Sequence, residues 1–562
     1  MIAVQSFLAV LVKACLVIFL FTLVRGLVWV FNLFILAPFL DPLKNIPGPD
    51  GSALETHLGG LMDPDLSPKT HKLWTEKYGK TFRFHGFGSH DFRLMTFDLR
   101  SVSYILTSPV YEKPWQTRRM LTTLLGRGLS AMEGNDHKVL RKLIGPAFTA
   151  QAVRATIPIC FQKAEELRDR LDALLSEDTS KIDITHWISR ATFDVIGLAG
   201  FDYNFHALQD ESEEVYLAYR RLFDVADQGP VGMRGLLQMY SPFIEKVLPD
   251  KLSRTVNDCL RVIRKAGIEV LESKRLAILA EKANASEIHD KDILSLLIKA
   301  NLSADPSKRL SDSVLLDQIV TLIFAGNDTT SLFITWCIHL LSLHPAIQIR
   351  LREELLSLRA NSSSHSDLPK ASSSTPAGLY AHADAIEALP FLDSVIRETL
   401  RICSPVHSTI RTAMQNDIIP ISSSTIRRDG TEIKPPDGIP IRKGTFVHIP
   451  LQGLNMSEDI WGKDAREFKP DRWSNLPESA RAPLHPGIAN VMSFSLGPHS
   501  CPGWRLSTLE TKLFISVILP HFIFTPAEEI GSYVSIVMRP YVRTQLAKGS
   551  RLPIMVQRYF AE

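Results

Sequence analysis

The stretch FSLGPHSCPG, residues 494 to 503, sets one cysteine among two glycines, two prolines and a histidine. Gly497 and Gly503 permit backbone angles that other residues resist, and Pro498 and Pro502 fix theirs, so the loop is rigid. The run that follows, WRLSTLETKLFISVILP, reads as an amphipathic helix ending before Pro520. Cys501 therefore sits just ahead of a helix N-terminus, where the dipole and free backbone N–H groups favour thiolate. Thiolate is the form that ligates metal. The six cysteines (Cys15, Cys160, Cys259, Cys337, Cys403 and Cys501) are scattered, with no C-x-x-C pair and no Cys/His zinc spacing. A tetrahedral site built by the protein is therefore implausible. A lone thiolate suits an axial ligand to haem iron. An inert, buried cysteine is the alternative that this stretch leaves open.

Three further groupings carry chemical side chains. The run LSDSVLLDQIVTLIFAGNDTTSLFITWCIHLLSLHP, residues 310 to 345, is apolar on most faces and predicts a long buried helix with Ser311 as its N-cap. In its middle stands AGNDTT, where Gly326 costs a helix roughly 1 kcal/mol relative to alanine and Asp328 is expensive to bury unpaired. Either this is a local bend with back-bonded threonines, or it is a groove facing a reactive centre, with Asp328 and Thr329 relaying protons. In FLDSVIRETLRICSP, Glu398 and Arg401 share a helix face. Arg472 of EFKPDRW could complete a buried Arg–Glu–Arg triad, against the duller reading of a solvated pair. In LGRGLSAMEGNDHKVLRKLIGPAF, His137 and Arg141 stand one turn apart, as an exposed basic face or as a donor pair for carboxylates.

These side chains need a large scaffold. The chain has 562 residues, 45% of them hydrophobic and 22% charged, which is a globular composition. A net charge of +3 gives no reason to expect a nucleic-acid partner. The scattered cysteines fit a reducing compartment. Helical periodicity dominates, as over 164–175 and 252–281, and short β-like stretches fall at 81–84, between 417 and 447, and in the last thirty residues. From Phe7 to Leu40 the chain is apolar apart from Lys13 and Arg25. That is enough for a bilayer span of roughly 20 residues, with a signal peptide as the alternative. The expected organisation is an anchor over 1–40, a stiff Pro/Gly joint over 41–49 containing IPGP, and one mainly α domain with a small β region over 50–562. A Ser-rich flexible insert is expected at 359–378.

In this order along the chain, the pieces resemble the motifs of the cytochrome P-450 family of thiolate-haem monooxygenases. The resemblance lies in Phe494-x-x-Gly497-x-His499-x-Cys501-x-Gly503, in Ala325-Gly326-Asn327-Asp328-Thr329-Thr330, in Glu398-x-x-Arg401, and in Phe468 to Trp473. It covers the chain from about residue 46 to the end. It implies a triangular, mainly α prism and haem b, that is iron protoporphyrin IX, with Cys501 as axial ligand. Phe494, Gly497 and Gly503 shape the loop, while Glu398, Arg401 and Arg472 are structural. Asp328 and Thr329 deliver protons to bound dioxygen. The family usually has arginine where this chain has His499, and Trp-x-x-x-Arg where it has His137-x-x-x-Arg141. These residues, with Arg411, are the implied haem-propionate partners.

The same resemblance implies electrons from a separate NADPH-dependent reductase, or from a cytochrome b-type donor, docking at Lys138, Arg141, Lys142 and Arg505. No G-x-G-x-x-G follows a strand that would hold a nucleotide in this chain. The implied substrate is a lipophilic small molecule in a pocket lined by 109–129, Phe324, Ala325, 406–410 and the turn near Val537. The stretch around His137 looks most like fungal microsomal members, many of which tailor terpenoids and other secondary metabolites. The implied setting is the endoplasmic reticulum membrane, with a single-pass anchor and a cytosolic catalytic domain. Two other readings are weighed: a thiolate-haem isomerase or dehydratase needing no reductase, and a membrane haem protein without catalysis.

Overall fold

The computed structural model describes residues 2–52, 55–227, 251–283, 292–303, 309–364 and 376–560. The apolar N-terminal run folds as helix α1 (Ile2–Phe31), which passes through Arg25 without a break. A π-turn over Asn32–Leu36 and a short helix Ala37–Leu40 continue it. Lys13–Leu40, with a mean hydropathy of 2.4, is long and apolar enough to cross a membrane.

The chain divides into two compact units. The first comprises Met1–Met62, Lys69–Tyr111 and Ile410–Ile449. Its sheet pairs β1 (Thr81–His85) antiparallel with β2 (Phe92–Thr96), in the register Phe82 opposite Met95. Strand β3 (Thr409–Ala413) and strand β4 (Phe446–Ile449) extend it in the order β1-β2-β4-β3, with β4 parallel to β2, and the two residues Tyr111–Glu112 add a fifth strand beside β3. The IPGP joint runs along β1, where Arg83 N–H donates to Pro47 O at 2.9 Å. A side chain on Gly48 would place its Cβ 2.0 Å from Arg83 O, so only glycine allows this approach.

The second unit comprises Asp63–Pro68, Glu112–Thr409 and Pro450–Glu562, and it carries the helices. Those that position the site are α2 (Gly134–Ile144), α3 (Ile184–Phe201), α4 (Glu214–Asp227), α5 (Asp312–Leu343), α6 (Pro390–Ile402) and α7 (Trp504–Ile518). Helix α5 is buried along most of its length and packs on α3, which is buried on nearly every face. This explains the apolar character of both sequences. Ser311 occupies the N-cap of α5 with extended backbone, but its hydroxyl pairs with Ser313 Oγ at 2.9 Å rather than with a backbone N–H. A hairpin, β5 (Ile530–Val534) with β6 (Met538–Val542), lies near the C-terminus. Of the expected Ser-rich insert, the flanks are helical, up to Ser364 and from Pro376, and 365–375 lie outside the described residues.

Candidate active site

The cysteine loop folds back on itself, with Cys501 N–H donating to Phe494 O at 2.9 Å. Gly497 sits at φ +71°, in the left-handed region that favours glycine. Gly503 differs from the expectation. Its φ of −86° is ordinary, and an added Cβ would meet Phe148 only at 3.6 Å. Neither its own backbone nor its protein neighbours demand glycine there. Gly503 is the N-cap of α7, so Cys501 lies two residues ahead of the helix. Burial pushes the Cys501 thiol up, while the Gly503 N–H and the Arg141 guanidinium pull it down without prevailing. The helix terminus alone therefore does not keep this sulfur as thiolate, and a metal would have to supply the rest.

Cys501 lines a cavity of about 190 Å³. Phe494, Pro502, Gly503 and Leu506 come from the cysteine loop and α7, and Ala325, Gly326, Thr329 and Thr330 come from α5. Leu129 and Val406 line it as expected. Val195, Ile196 and Ala199 of α3 join them, a wall that sequence reasoning missed because α3 carries no motif. Phe324 instead stacks on Phe223 of α4, centroids 4.7 Å apart, and Val537 is buried outside the lining.

Helix α5 runs through AGNDTT as one continuous helix. Gly326 is there for close approach, since a Cβ would come 2.6 Å from Ile196 Cδ1. Thr329 Oγ1 donates to Ala325 O at 2.6 Å, the back-bonded arrangement, yet Thr329 also lines the cavity. Asp328 does not line it. Its carboxylate is buried against the Arg539 guanidinium of β6, a partner that no motif signals. Asn327 is turned towards α3 and accepts from Thr192 Oγ1 at 2.5 Å.

Glu398, Arg401 and Arg472 come together, all buried. Arg401 Nε and Nη2 each donate to Glu398 at 2.8 Å, a bidentate pair, and Arg472 Nε donates to Glu398 Oε1 at 2.8 Å. Lys469 N–H at 2.9 Å and Trp473 Nε1 at 3.1 Å complete the carboxylate's shell. The remaining Arg401 donors hold Asn455 O, Ala465 O and Glu467 O, which docks the loop of Arg472 on α6.

The fourth grouping gains two members. His137 is buried on α2, its ring 3.9 Å from that of His499. His499 Nε2 lies 3.0 Å from Glu133 Oε2, and Lys113 Nζ lies 2.7 Å from Glu133 Oε1 and 3.3 Å from His499 Nδ1. An ammonium can only donate, so Nδ1 accepts, and Nε2 is left to donate to the carboxylate. Burial would raise the Glu133 carboxyl, but His499 and Lys113 hold it down to about 2. Burial, reinforced by His499 and Lys113, lowers His137 to about 4. The signal for Glu133 was present in its place directly before Gly134, at the start of α2. Lys138, Lys142 and Arg505 are exposed and Arg141 is half-buried. Arg411 lies on β3 in the other unit, buried, with Nη1 donating to Ile410 O at 2.9 Å.

A haem with one thiolate ligand fits this donor set. Cys501 is the one thiol in a mainly apolar lining, and His137, His499 and Lys113 offer donors for carboxylates. One feature opposes it in part, because Glu133 already engages two of those donors.

The Cytochrome P450 family model matches residues 65–534. Cytochrome P450 monooxygenase 205 of Postia placenta is 35% identical over 551 residues, 95% of this chain and 96% of that protein. Cytochrome P450 monooxygenase 128 of the same fungus is 34% identical, covering 93% of this chain and 94% of its own length. Ganoderic acid synthetase of Ganoderma lucidum is 32% identical, covering 87% and 89%. A thiol at the mouth of α7, a threonine-bearing helix on the same cavity and similarity along nearly the whole chain agree, and the chain belongs to the cytochrome P450 family as a monooxygenase.

Proposed function

We propose that the chain binds haem b through Cys501 and hydroxylates or epoxidises a lipophilic secondary metabolite of terpenoid kind, using electrons from an NADPH-dependent reductase at the endoplasmic reticulum membrane. The observation that carries this reading is the cavity itself, where Cys501 and Thr329 share one mainly apolar space. Thiolate-ligated haem supplies dioxygen activation, the thiolate favouring O–O cleavage. The chain's own residues do the remainder. Phe494, Gly497 and Gly503 fix the loop that presents the sulfur. His137, Arg141 and His499 hold the carboxylates of the cofactor. Thr329 Oγ1 releases Ala325 O and holds a water where a proton is needed, and Asp328 reaches that water only on letting go of Arg539. The apolar walls from α3 and α5 exclude bulk water and favour a lipophilic guest. Lys138 and Lys142, exposed on α2, and Arg505, exposed two residues past the cysteine loop, receive the acidic face of the electron donor.

Secondary metabolism is supported by the relative named ganoderic acid synthetase, and the membrane setting by the apolar helix over Lys13–Leu40. The test is a reconstituted reaction with reductase, NADPH and a panel of fungal lipophilic extracts, read by mass for one added oxygen. Products in reductase-free controls would instead favour isomerase or dehydratase chemistry.

A further inference from the structure

Two carboxyl groups belong to α5 and to the helix α7 packed on it, and their surroundings are opposite. Asp328 is paired with Arg539 and turned out of the cavity. Glu510, on α7, lines the cavity, is only 3% exposed, and its Oε1 accepts no hydrogen bond among the described residues. A buried carboxylate without a partner is costly, and the cost is avoided by keeping the proton. Burial alone acts on Glu510 and pushes it well above the ordinary carboxylate range. Among the described residues no cation offsets this, and a titratable neighbour is the buried Cys160 thiol, raised first by its own burial and then by Glu510.

A pair of hydroxyls begins one helical turn before it. Ser507 precedes Glu510 by three residues and shares its face of α7. Thr330 Oγ1 of α5 lies 3.1 Å from Ser507 Oγ, and all three residues line the cavity with Thr329. Each hydroxyl can accept one proton and donate another.

We propose that Glu510 is the proton reservoir of this cavity, feeding water at Thr329 through Ser507 Oγ and Thr330 Oγ1. The inference rests on the monooxygenase reading. The overall reaction takes substrate R–H, dioxygen, two electrons from the reductase and two protons to R–OH and water. Glu510 gives one of those protons, is left as carboxylate, and takes a proton back from solvent through the cavity water before the next cycle. It acts through the hydroxyls, so it is a proton-supplying residue and not one that touches substrate.

The test uses the full-length, haem-loaded protein. Infrared difference spectra on photolysis of carbon monoxide from the reduced protein should show the C=O stretch of a protonated carboxyl. That band should vanish in Glu510→Gln, persist in Asp328→Asn, and shift but survive in Glu510→Asp. In reductase-driven turnover without added substrate, the water-forming branch should slow by about a hundredfold in Glu510→Gln, the low end for a positioned acid. NADPH consumed per dioxygen then falls and released hydrogen peroxide rises. A band that is absent from wild type or persists in Glu510→Gln, or an unchanged ratio of NADPH to dioxygen, overturns the proposal. If wild type consumes no NADPH with reductase, the monooxygenase reading fails, and the infrared arm alone decides Glu510.

Discussion

Cys501 and Thr329 make separable predictions because one binds and the other moves protons. Cys501→Ser removes the only thiol in the cavity lining. Its reduced, carbon monoxide-treated form should therefore lack the strongly red-displaced Soret band that the wild-type protein gives. Thr329→Ala leaves Cys501 untouched but removes the hydroxyl that donates to Ala325 O. NADPH should still be consumed, with hydrogen peroxide released in place of product, measured by peroxide assay against NADPH oxidation. Glu510 adds a pH dependence of stability. Its folded pKa is raised above the ordinary 4.5, so the native state holds a proton that the unfolded state has lost, and stability falls as pH rises through and beyond that value. Glu510→Gln removes this penalty. Equilibrium unfolding should show no gain for the variant below pH 4.5. Above it, the gain should grow by roughly tenfold in the folding constant per pH unit. A gain that is constant across pH would mean that Glu510 is ionised in the native protein.

Elements explain why the motifs were legible and some of their partners were not. Glu398 and Arg401 are three residues apart, so helical spacing alone puts them on one face. Asp328 and Arg539 are 211 residues apart, and only the packing of β6 brings them together. Lys113 reaches Glu133 across 20 residues of loop and helix, again without periodicity to announce it. Gly326 was legible as an anomaly and misread in cause, because a glycine that looks like a bend in one helix is spacing between two. The close approach of α3 to α5 gives a prediction with opposing terms. Gly326→Val adds methyl groups where a Cβ already comes 2.6 Å from Ile196 Cδ1. Overpacking of this kind costs about 1–3 kcal/mol, more than the roughly 1 kcal/mol that removing a helical glycine returns. The variant should melt lower, and Ile196→Ala in the same chain should restore much of the loss. The triad on α6 predicts a larger effect. Glu398→Ala leaves Arg401 and Arg472 buried without their carboxylate, at a cost of about 3–5 kcal/mol. The measurable result is loss of carbon monoxide-reactive protein at equal expression, rather than slower turnover in a haem-loaded enzyme.

At the scale of the whole molecule, the sequence separated an apolar N-terminus from a globular body, because hydropathy is additive along the chain and needs no tertiary knowledge. The assembly of the body into two units from interleaved segments was not legible. Residues 410–449 complete a unit begun before residue 111, and no composition shift marks either crossing. The N-terminal helix carries the last prediction. Phe19 and Trp29 are 65% and 63% exposed, and nothing among the described residues covers their faces. Lys13 and Arg25 both lie in α1, and Arg25 falls inside the apolar run from Lys13 to Leu40. A centrally placed charge costs about 2.5–3.5 kcal/mol on insertion scales, yet each apolar residue around it returns some of that, and a long side chain can reach the interface. The apolar run therefore prevails. Removal of residues 1–40 leaves the Asp41 cap on Leu43 and the docking of Pro47 on Arg83 in place. The shortened protein should move from the membrane pellet to the supernatant while keeping its carbon monoxide spectrum. Retention in the pellet after carbonate washing would show that a second surface of the body binds the bilayer. Arg25→Leu in the full chain should leave partitioning unchanged, because α1 already runs through Arg25 without a break.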